Sequence, residues 1–226
     1  MSNGPVSALQ AVLFDMDGTI VDTEPYWIAA EYALVEAHGG VWTDEHAHAL
    51  VGNALLASGE YIRRHGGVML EPTEIVETLL DDVVRAARRS MPWRPGARRL
   101  IGELSAAGVP CAMVTMSYRR LADTVVAALA PAMFSVVVTG DEVLDGKPHP
   151  EAYLTAAQRL GVDPRRCVAI EDSPTGVASA EAAGCVVVAV PHHVPIEAAP
   201  TRTLVHSLTE LSVSDLDGLV RASANR

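Results

Sequence analysis

Lysine is almost missing from this chain. Of its 17 basic side chains, Lys147 is the only ammonium and all the others are arginine. Acidic residues outnumber basic ones, and the formal net charge is −11. A chain this poor in positive charge lacks the basic face needed for generic nucleic-acid binding or for an anionic membrane. It would also repel an anionic substrate unless a bound cation reversed the field locally. Aromatic residues make up only 4% of the chain, so the core has to be built from small aliphatic side chains. The apolar runs are too short to cross a bilayer. Cysteine is limited to Cys111, Cys167 and Cys185, an odd and widely spaced set, each beside an apolar run. That pattern argues against a disulfide framework and predicts buried, reduced thiols. The opening MSNGPVSALQ has no basic region followed by an apolar one, so no signal peptide is expected and the cytoplasm is the expected compartment. Internal repeats and low-complexity tracts are absent.

What is present is a globular chain of 226 residues with 49% apolar content, enough for one α/β domain or one domain with an insertion. Five short β-branched runs predict strands: AVLFD (11–15), CAMVT (111–115), SVVVT (135–139), CVAIE (167–171) and CVVVAV (185–190). Their near-continuous apolar character fits strands buried on both faces. Helical stretches separate the later runs: ARRLIGELSAAG, YRRLADTVVAALA, EAYLTAAQRLG and TGVASAEAAG. Strand followed by helix, repeated, predicts a parallel, Rossmann-like sheet with helices on both faces. The interval from about 21 to 91 breaks the rhythm and reads as three helices, ending in AHGG, RHGG and RRS. The expectation is a core of residues 1–21 and 92–226 carrying a smaller all-α insert over 22–91, entered near Pro25 and left through MPWRPG.

In a parallel sheet ligands sit beyond the carboxyl ends of the strands. Asp15, Thr115 and Glu171 stand at those ends, with Asp17, Ser117 and Asp172 just beyond, and Lys147 lies in the loop after the third strand. Asp15 and Asp17 at i and i+2 point the same way in extended chain, and Gly18 lets backbone approach a ligand closely. Alone, the DMDG stretch fits a surface turn equally well. It is not a calcium loop, because the required glycine and terminal acid are replaced by Ile20 and Tyr26. GDEVLDGKP is not a phosphate-binding loop either: the glycine spacing is one residue too long and Pro148 follows the lysine. Ser173 suits an N-cap, and Glu171 and Asp172 would favour that helix end. Oxygen-only acids in one crevice also suit a hard cation such as Mg²⁺.

Taken in order, DMDGT, VTMS, GKPHPE and IEDS resemble the haloacid dehalogenase superfamily, and the helical insert after DMDGTIVDTE resembles its first subfamily, which includes β-phosphoglucomutase-like and phosphoglycolate-phosphatase-like proteins. The resemblance covers nearly the whole chain. It implies that Asp15 is a nucleophile forming an aspartyl-phosphate, and that Asp17 is general acid and then base. Thr115 would hold the transferring phosphoryl group and Lys147 would neutralise it. Mg²⁺ would be held by Asp172, the Asp15 carboxylate and the Asp17 carbonyl, with Glu171 supporting or joining them. The insert would be a cap hinged near Asp22–Pro25 and Ser90–Pro95, with Gly52 and Asn53 in a substrate-sensing loop and Ser117 beside the phosphate.

Within that family Asp17 argues against the dehalogenases, which lack the second acid. The absence of any lysine in the insert argues against the phosphonate hydrolases. β-Phosphoglucomutases carry a histidine where this chain has Trp27, which favours a simple phosphatase over the mutase. A phosphoacceptor module without turnover is a further alternative, but such modules are about half as long and lack Asp17 and the cap. Arg63, Arg64, Arg85, Arg88 and Arg89 are expected on a solvated helix face, His46 and His48 lack further ligands for zinc, and His192 and His193 are expected in a surface loop. The expected partner is a small phosphorylated metabolite, with no nucleic acid or membrane, and the chain is expected to be a monomer or weak dimer.

Overall fold

The computed structural model describes residues 8–51 and 54–224. Its centre is β1 (Ala11–Phe14), flanked by β2 (Cys111–Val114) and β4 (Cys167–Glu171). β3 (Val136–Val138) lies outside β2, and β5 (Val186–Ala189) and β6 (Arg202–Leu204) lie outside β4. All five pairings are parallel, and Phe14 sits beside Met113 on one side and Ile170 on the other. The chain begins in the middle, builds to one edge and returns past β1 to build the other half. The order therefore reverses at β1, where the carboxyl ends of diverging strands leave a crevice.

Alternation along the strands sorts the core into two layers. Val12 and Phe14 pack with α5 (Ala97–Ala106), α6 (Arg119–Ala127) and α9 (Val213–Ala224) through Leu100, Leu121 and Leu216. Ala11 and Leu13 face α7 (Glu151–Leu160) and α8 (Pro174–Ala182), where Ala152, Tyr153, Val177 and Ala180 are fully buried. Cys111, Cys167 and Cys185 are free and buried, as their apolar neighbours predict.

Between β1 and α5 the chain forms four helices among the described residues: α1 (Glu24–Ala37), α2 (Asp44–His48), α3 (Leu55–His65) and α4 (Pro72–Arg89). α4 buries Ile75, Val76, Leu79, Leu80, Val83, Val84 and Ala87 as one stripe, the i, i+4 pattern of an amphipathic helix. Pro72 occupies its first turn, and Glu71 and Glu74 form a reciprocal capping box, which satisfies two of the amides a helix start leaves free. The two connections to the sheet run side by side. Asp22 N–H donates to Pro92 O at 2.8 Å, Arg94 N–H donates to Ile20 O at 2.9 Å, and Val21 bridges Trp93 in antiparallel fashion.

Four of the described elements differ from the sequence expectation. β6 is a sixth strand, only three residues long and half exposed at the sheet edge, so no apolar run announces it. β3 is also an edge strand, with Val136 and Val137 half buried rather than enclosed. α2 and α9 were not anticipated: α2 has five residues with only Ala47 buried, and α9 buries only Leu216 and Val220, too few positions to mark a period.

Candidate active site

The crevice is assembled from strand ends. β1 hands over to Asp15, whose N–H donates to Ile170 O at 3.0 Å, and the chain then turns through Gly18 at φ 88°. A side chain at Gly18 would clash with Asp172, since an added Cβ would lie 2.0 Å from its Oδ2. Left-handed backbone and close approach therefore both require glycine there. Gly176, in the first turn of α8, is required for a similar reason: its missing Cβ leaves room for the Glu171 carboxylate, 1.9 Å from where that atom would be. Ser173 caps α8 by accepting from Gly176 N–H, as the sequence predicts.

Lys147 reaches in from the loop after β3 and is almost wholly enclosed. Its Nζ lies 2.7 Å from Asp15 Oδ1, 2.7 Å from Glu171 Oε1 and 2.9 Å from Val114 O. Those three acceptors use all three N–H donors of an ammonium. Burial works to lower its pKa, but the two carboxylates outweigh that and hold it above the usual lysine range. Tyr153 closes the back of the site, donating its hydroxyl to Glu171 Oε1 at 2.6 Å and placing its ring 5.2 Å from Nζ.

Asp17 is held from the other side. Its Oδ1 accepts a short hydrogen bond from Thr23 Oγ1, and its Oδ2 accepts from Ser117 Oγ at 2.7 Å and Thr115 Oγ1 at 3.3 Å. Burial raises the Asp17 pKa, the three hydroxyls oppose that rise, and the Asp15 charge adds to it. Asp172 is raised by burial and then by the Asp15 and Glu171 charges, and Glu171 is raised mainly by burial. One ammonium thus faces four carboxyl groups.

That imbalance, with two further observations, tests whether the acids suit a cation. Asp15 Oδ2 is buried and has no hydrogen-bond partner. An oxygen from each of Asp15, Glu171 and Asp172 lies within 4.8 Å of the others. Oxygen donors converging with one lone pair left over fit a hard divalent cation. Glu171 is the most committed of the three, because Lys147 and Tyr153 take one of its oxygens and Ser173 approaches the other at 3.4 Å.

All seven residues expected from the strand ends and the lysine loop therefore share one crevice: Asp15, Asp17, Thr115, Ser117, Lys147, Glu171 and Asp172. Gly52 and Asn53 lie outside the described residues. Thr23 and Tyr153 join the site without having been singled out as members. The faint signal for Tyr153 was its place one turn into the helix that opens just after Lys147. Arg63, Arg64 and Arg85 sit on exposed helix faces, paired with Glu71, Glu60 and Asp82, while Arg88 and Arg89 are exposed. His46 stacks on Trp42 at 4.8 Å and His48 binds Asp44 O. His192 and His193 lie in the loop after β5, as expected, and within it they converge on Asp22.

The chain belongs to the haloacid dehalogenase-like hydrolases, whose family model matches residues 9–184. It is 34% identical over 220 residues to hexitol phosphatase A of Escherichia coli K12, covering 89% of this chain and 93% of that protein. It is 31% identical over 185 residues to the phosphorylated carbohydrates phosphatase of Thermotoga maritima, covering 78% and 82%. Among solved structures, CbbY from Rhodobacter sphaeroides bound to xylulose-(1,5)-bisphosphate superposes with a TM-score of 0.82 at 29% identity, covering 92% of this chain and 99% of that one. The chain is thus an enzyme of the hydrolase type, and these named phosphatases place its kin among the phosphoric monoester hydrolases.

Proposed function

We propose that this protein is a Mg²⁺-dependent phosphatase of a small phosphorylated metabolite of the sugar or polyol phosphate class, working through a phosphoryl group carried on Asp15. The observation that carries the reading is the unpartnered Asp15 Oδ2 beside an ammonium that is itself anchored to Asp15. The names of the relatives support the substrate class.

In this reading an Asp15 carboxylate oxygen attacks phosphorus while Asp17 gives its proton to the leaving alcohol oxygen. The raised pKa of Asp17 keeps that proton available, as a general acid near neutrality needs. Asp17, now a carboxylate, takes a proton from the water that attacks the acyl phosphate, which frees inorganic phosphate and restores Asp15. Lys147 neutralises negative charge on the phosphoryl oxygens, and the Thr115 and Ser117 hydroxyls turn from Asp17 to hydrogen-bond them. Thr23 keeps Asp17 aimed throughout. Asp15, Asp172 and the Asp17 carbonyl would hold Mg²⁺, with Glu171 supporting them, and the ion would supply the positive charge that lets a phosphate dianion approach carboxylates. The helices over 22–91 act as a cap that closes on the crevice and selects the leaving group, hinged on the paired connections at 20–22 and 92–94.

The test is phosphate release from a panel of sugar, polyol and nucleotide phosphates and phosphoglycolate, with Mg²⁺ and with EDTA, ranked by kcat/KM. Turnover dependent on Mg²⁺ and lost in Asp15→Asn supports the proposal. Interconversion of hexose 1- and 6-phosphates without net phosphate release would replace it with a mutase, and a single burst without turnover would replace it with a phosphoacceptor module.

A further inference from the structure

Outside the crevice, two consecutive histidines turn onto one carboxylate. His192 Nε2 lies 3.1 Å from Asp22 Oδ2, and His193 Nε2 lies 3.2 Å from Asp22 Oδ1. Neighbouring residues in extended chain point to opposite faces; here the bend over 192–194, just after β5, swings both imidazoles the same way. The ring centroids are 3.9 Å apart, and a ligand atom from each of the three residues lies within 4.8 Å of the other two. Asp22 belongs to the connection entering the helical insert, so the cluster ties that connection to a loop of the sheet.

We propose that Asp22, His192 and His193 form a second metal site, selective for zinc-like divalent transition ions and separate from the oxygen-only crevice. Two imidazole nitrogens and a carboxylate oxygen are the ligand set of such ions, whereas Mg²⁺ takes oxygen. Ligand arms of about 2.0–2.1 Å give a tetrahedron with edges near ~3.3 Å; His192 Nε2 lies 3.1 Å from Asp22 Oδ2 and His193 Nε2 lies 3.2 Å from the other oxygen, Oδ1, so an ion is held either by both carboxylate oxygens or after a small turn of one imidazole. Binding needs the Nε2 lone pairs, so each proton now directed at Asp22 moves to Nδ1 and the imidazoles stay neutral. A fourth position stays open to water. Arg94 works against the ion: its Nη1 is 3.5 Å from His192 Nε2, and its charge opposes a cation there. Glu24 is within electrostatic range of His193 and Asp22 and contributes negative charge.

The test is calorimetric titration of the whole protein with ZnCl₂ under saturating Mg²⁺, which occupies the carboxylate crevice, together with visible absorption on adding Co²⁺. One equivalent of zinc and an intense tetrahedral cobalt spectrum are expected. His192→Gln, His193→Gln and Asp22→Asn should each weaken zinc by at least about tenfold, with thermal unfolding in metal-free buffer confirming that they fold. Arg94→Gln should tighten it. No zinc binding under excess Mg²⁺, wild-type zinc affinity in both histidine variants, or weaker binding in Arg94→Gln would overturn the site. None of these readouts depends on the chain being a phosphatase. If zinc binds, the capped-phosphatase reading adds that it pins the hinge, so turnover should fall with zinc in the wild type and not in His193→Gln.

Discussion

The crevice and the helical insert treat charge in opposite ways. In the crevice Asp15, Glu171 and Asp172 are buried around one enclosed ammonium, and one carboxylate oxygen has no partner. In the insert charged side chains lie on the surface and pair with near neighbours, Arg64 with Glu60 at 2.8 Å and Arg63 with Glu71 at 3.2 Å. Burying like charges costs stability and is sustained only where the surrounding fold enforces it. Surface pairs in water contribute little either way. The difference sets a crevice that keeps unmet bonding capacity against an insert surface whose charges are already paired. It implies that substitutions in the crevice change activity far more than those on the insert's surface.

The strongest test of that contrast is Asp15→Asn. If Asp15 forms the bond to phosphorus, turnover falls by about 10⁴-fold or more, because an amide oxygen is a poor nucleophile. Stability should change little, since the substitution also removes a source of repulsion among Asp15, Asp172 and Asp17. Steady-state phosphate release and thermal unfolding measured on the same preparation separate the two effects.

Lys147→Met comes next. It leaves Asp15 and Glu171 without their shared cation and should lower kcat/KM by about 10²–10³-fold. Breaking a buried pair by removing one partner also costs about 3–5 kcal/mol of folding stability, measurable as a lower urea midpoint. Lys147→Arg should rescue neither quantity. A planar fork does not reproduce three acceptors around a single nitrogen.

Most of this contrast was legible in the sequence, and the reason is physical. β1, β2 and β4 are buried on both faces, so they must be continuous apolar runs, and the polar residue ending each run marks the crevice. Lys147 stood out because the chain otherwise uses arginine. Features that depend on distant segments meeting were not legible. Asp22 and the 192–193 pair are about 170 residues apart, as the 171-residue gap from His193 shows, and no local pattern links them. β6 pairs through its backbone, which leaves no trace in side-chain alternation. Thr23 looked like part of a linker until the turn at Gly18 brought it back to Asp17.

One residue of the insert breaks its own region's rule. Glu31 is buried, accepts from Trp42 Nε1 at 3.2 Å, and has its pKa pushed up to about 7, chiefly by burial. Its folded-state value lies above that of the unfolded chain, so the folded protein binds the extra proton. Its contribution to stability is complete below about pH 4.5 and is lost as pH rises through about 7. Glu31→Gln keeps an acceptor for Trp42 without the charge. It should raise stability above pH 8 by up to about 2–3 kcal/mol, flatten the fall between pH 5 and 7, and leave kcat almost unchanged. Urea unfolding at pH 5 and pH 8 checks this; an equal effect at both values would mean that charge is not the cause.

The smallest effect lies where the two regions touch. Arg120, at the start of α6, reaches across to α4, with Nη1 2.7 Å from Asp81 Oδ1 and Nη2 3.0 Å from Glu77 Oε2. All three side chains are well exposed, so water and salt screen the pairs and their joint contribution is about 1 kcal/mol or less. If they bias the cap toward closure, Arg120→Gln raises KM by about two- to fivefold at low salt, with kcat little changed, because 1 kcal/mol corresponds to roughly a fivefold equilibrium shift. The difference should vanish near 1 M salt, where the Debye length is about 3 Å. KM measured against ionic strength for both proteins decides the matter. A tenfold loss of kcat that survives high salt would mean that the Arg120 charge takes part in the chemistry, and the division of labour between the crevice and the surface pairs would fail there.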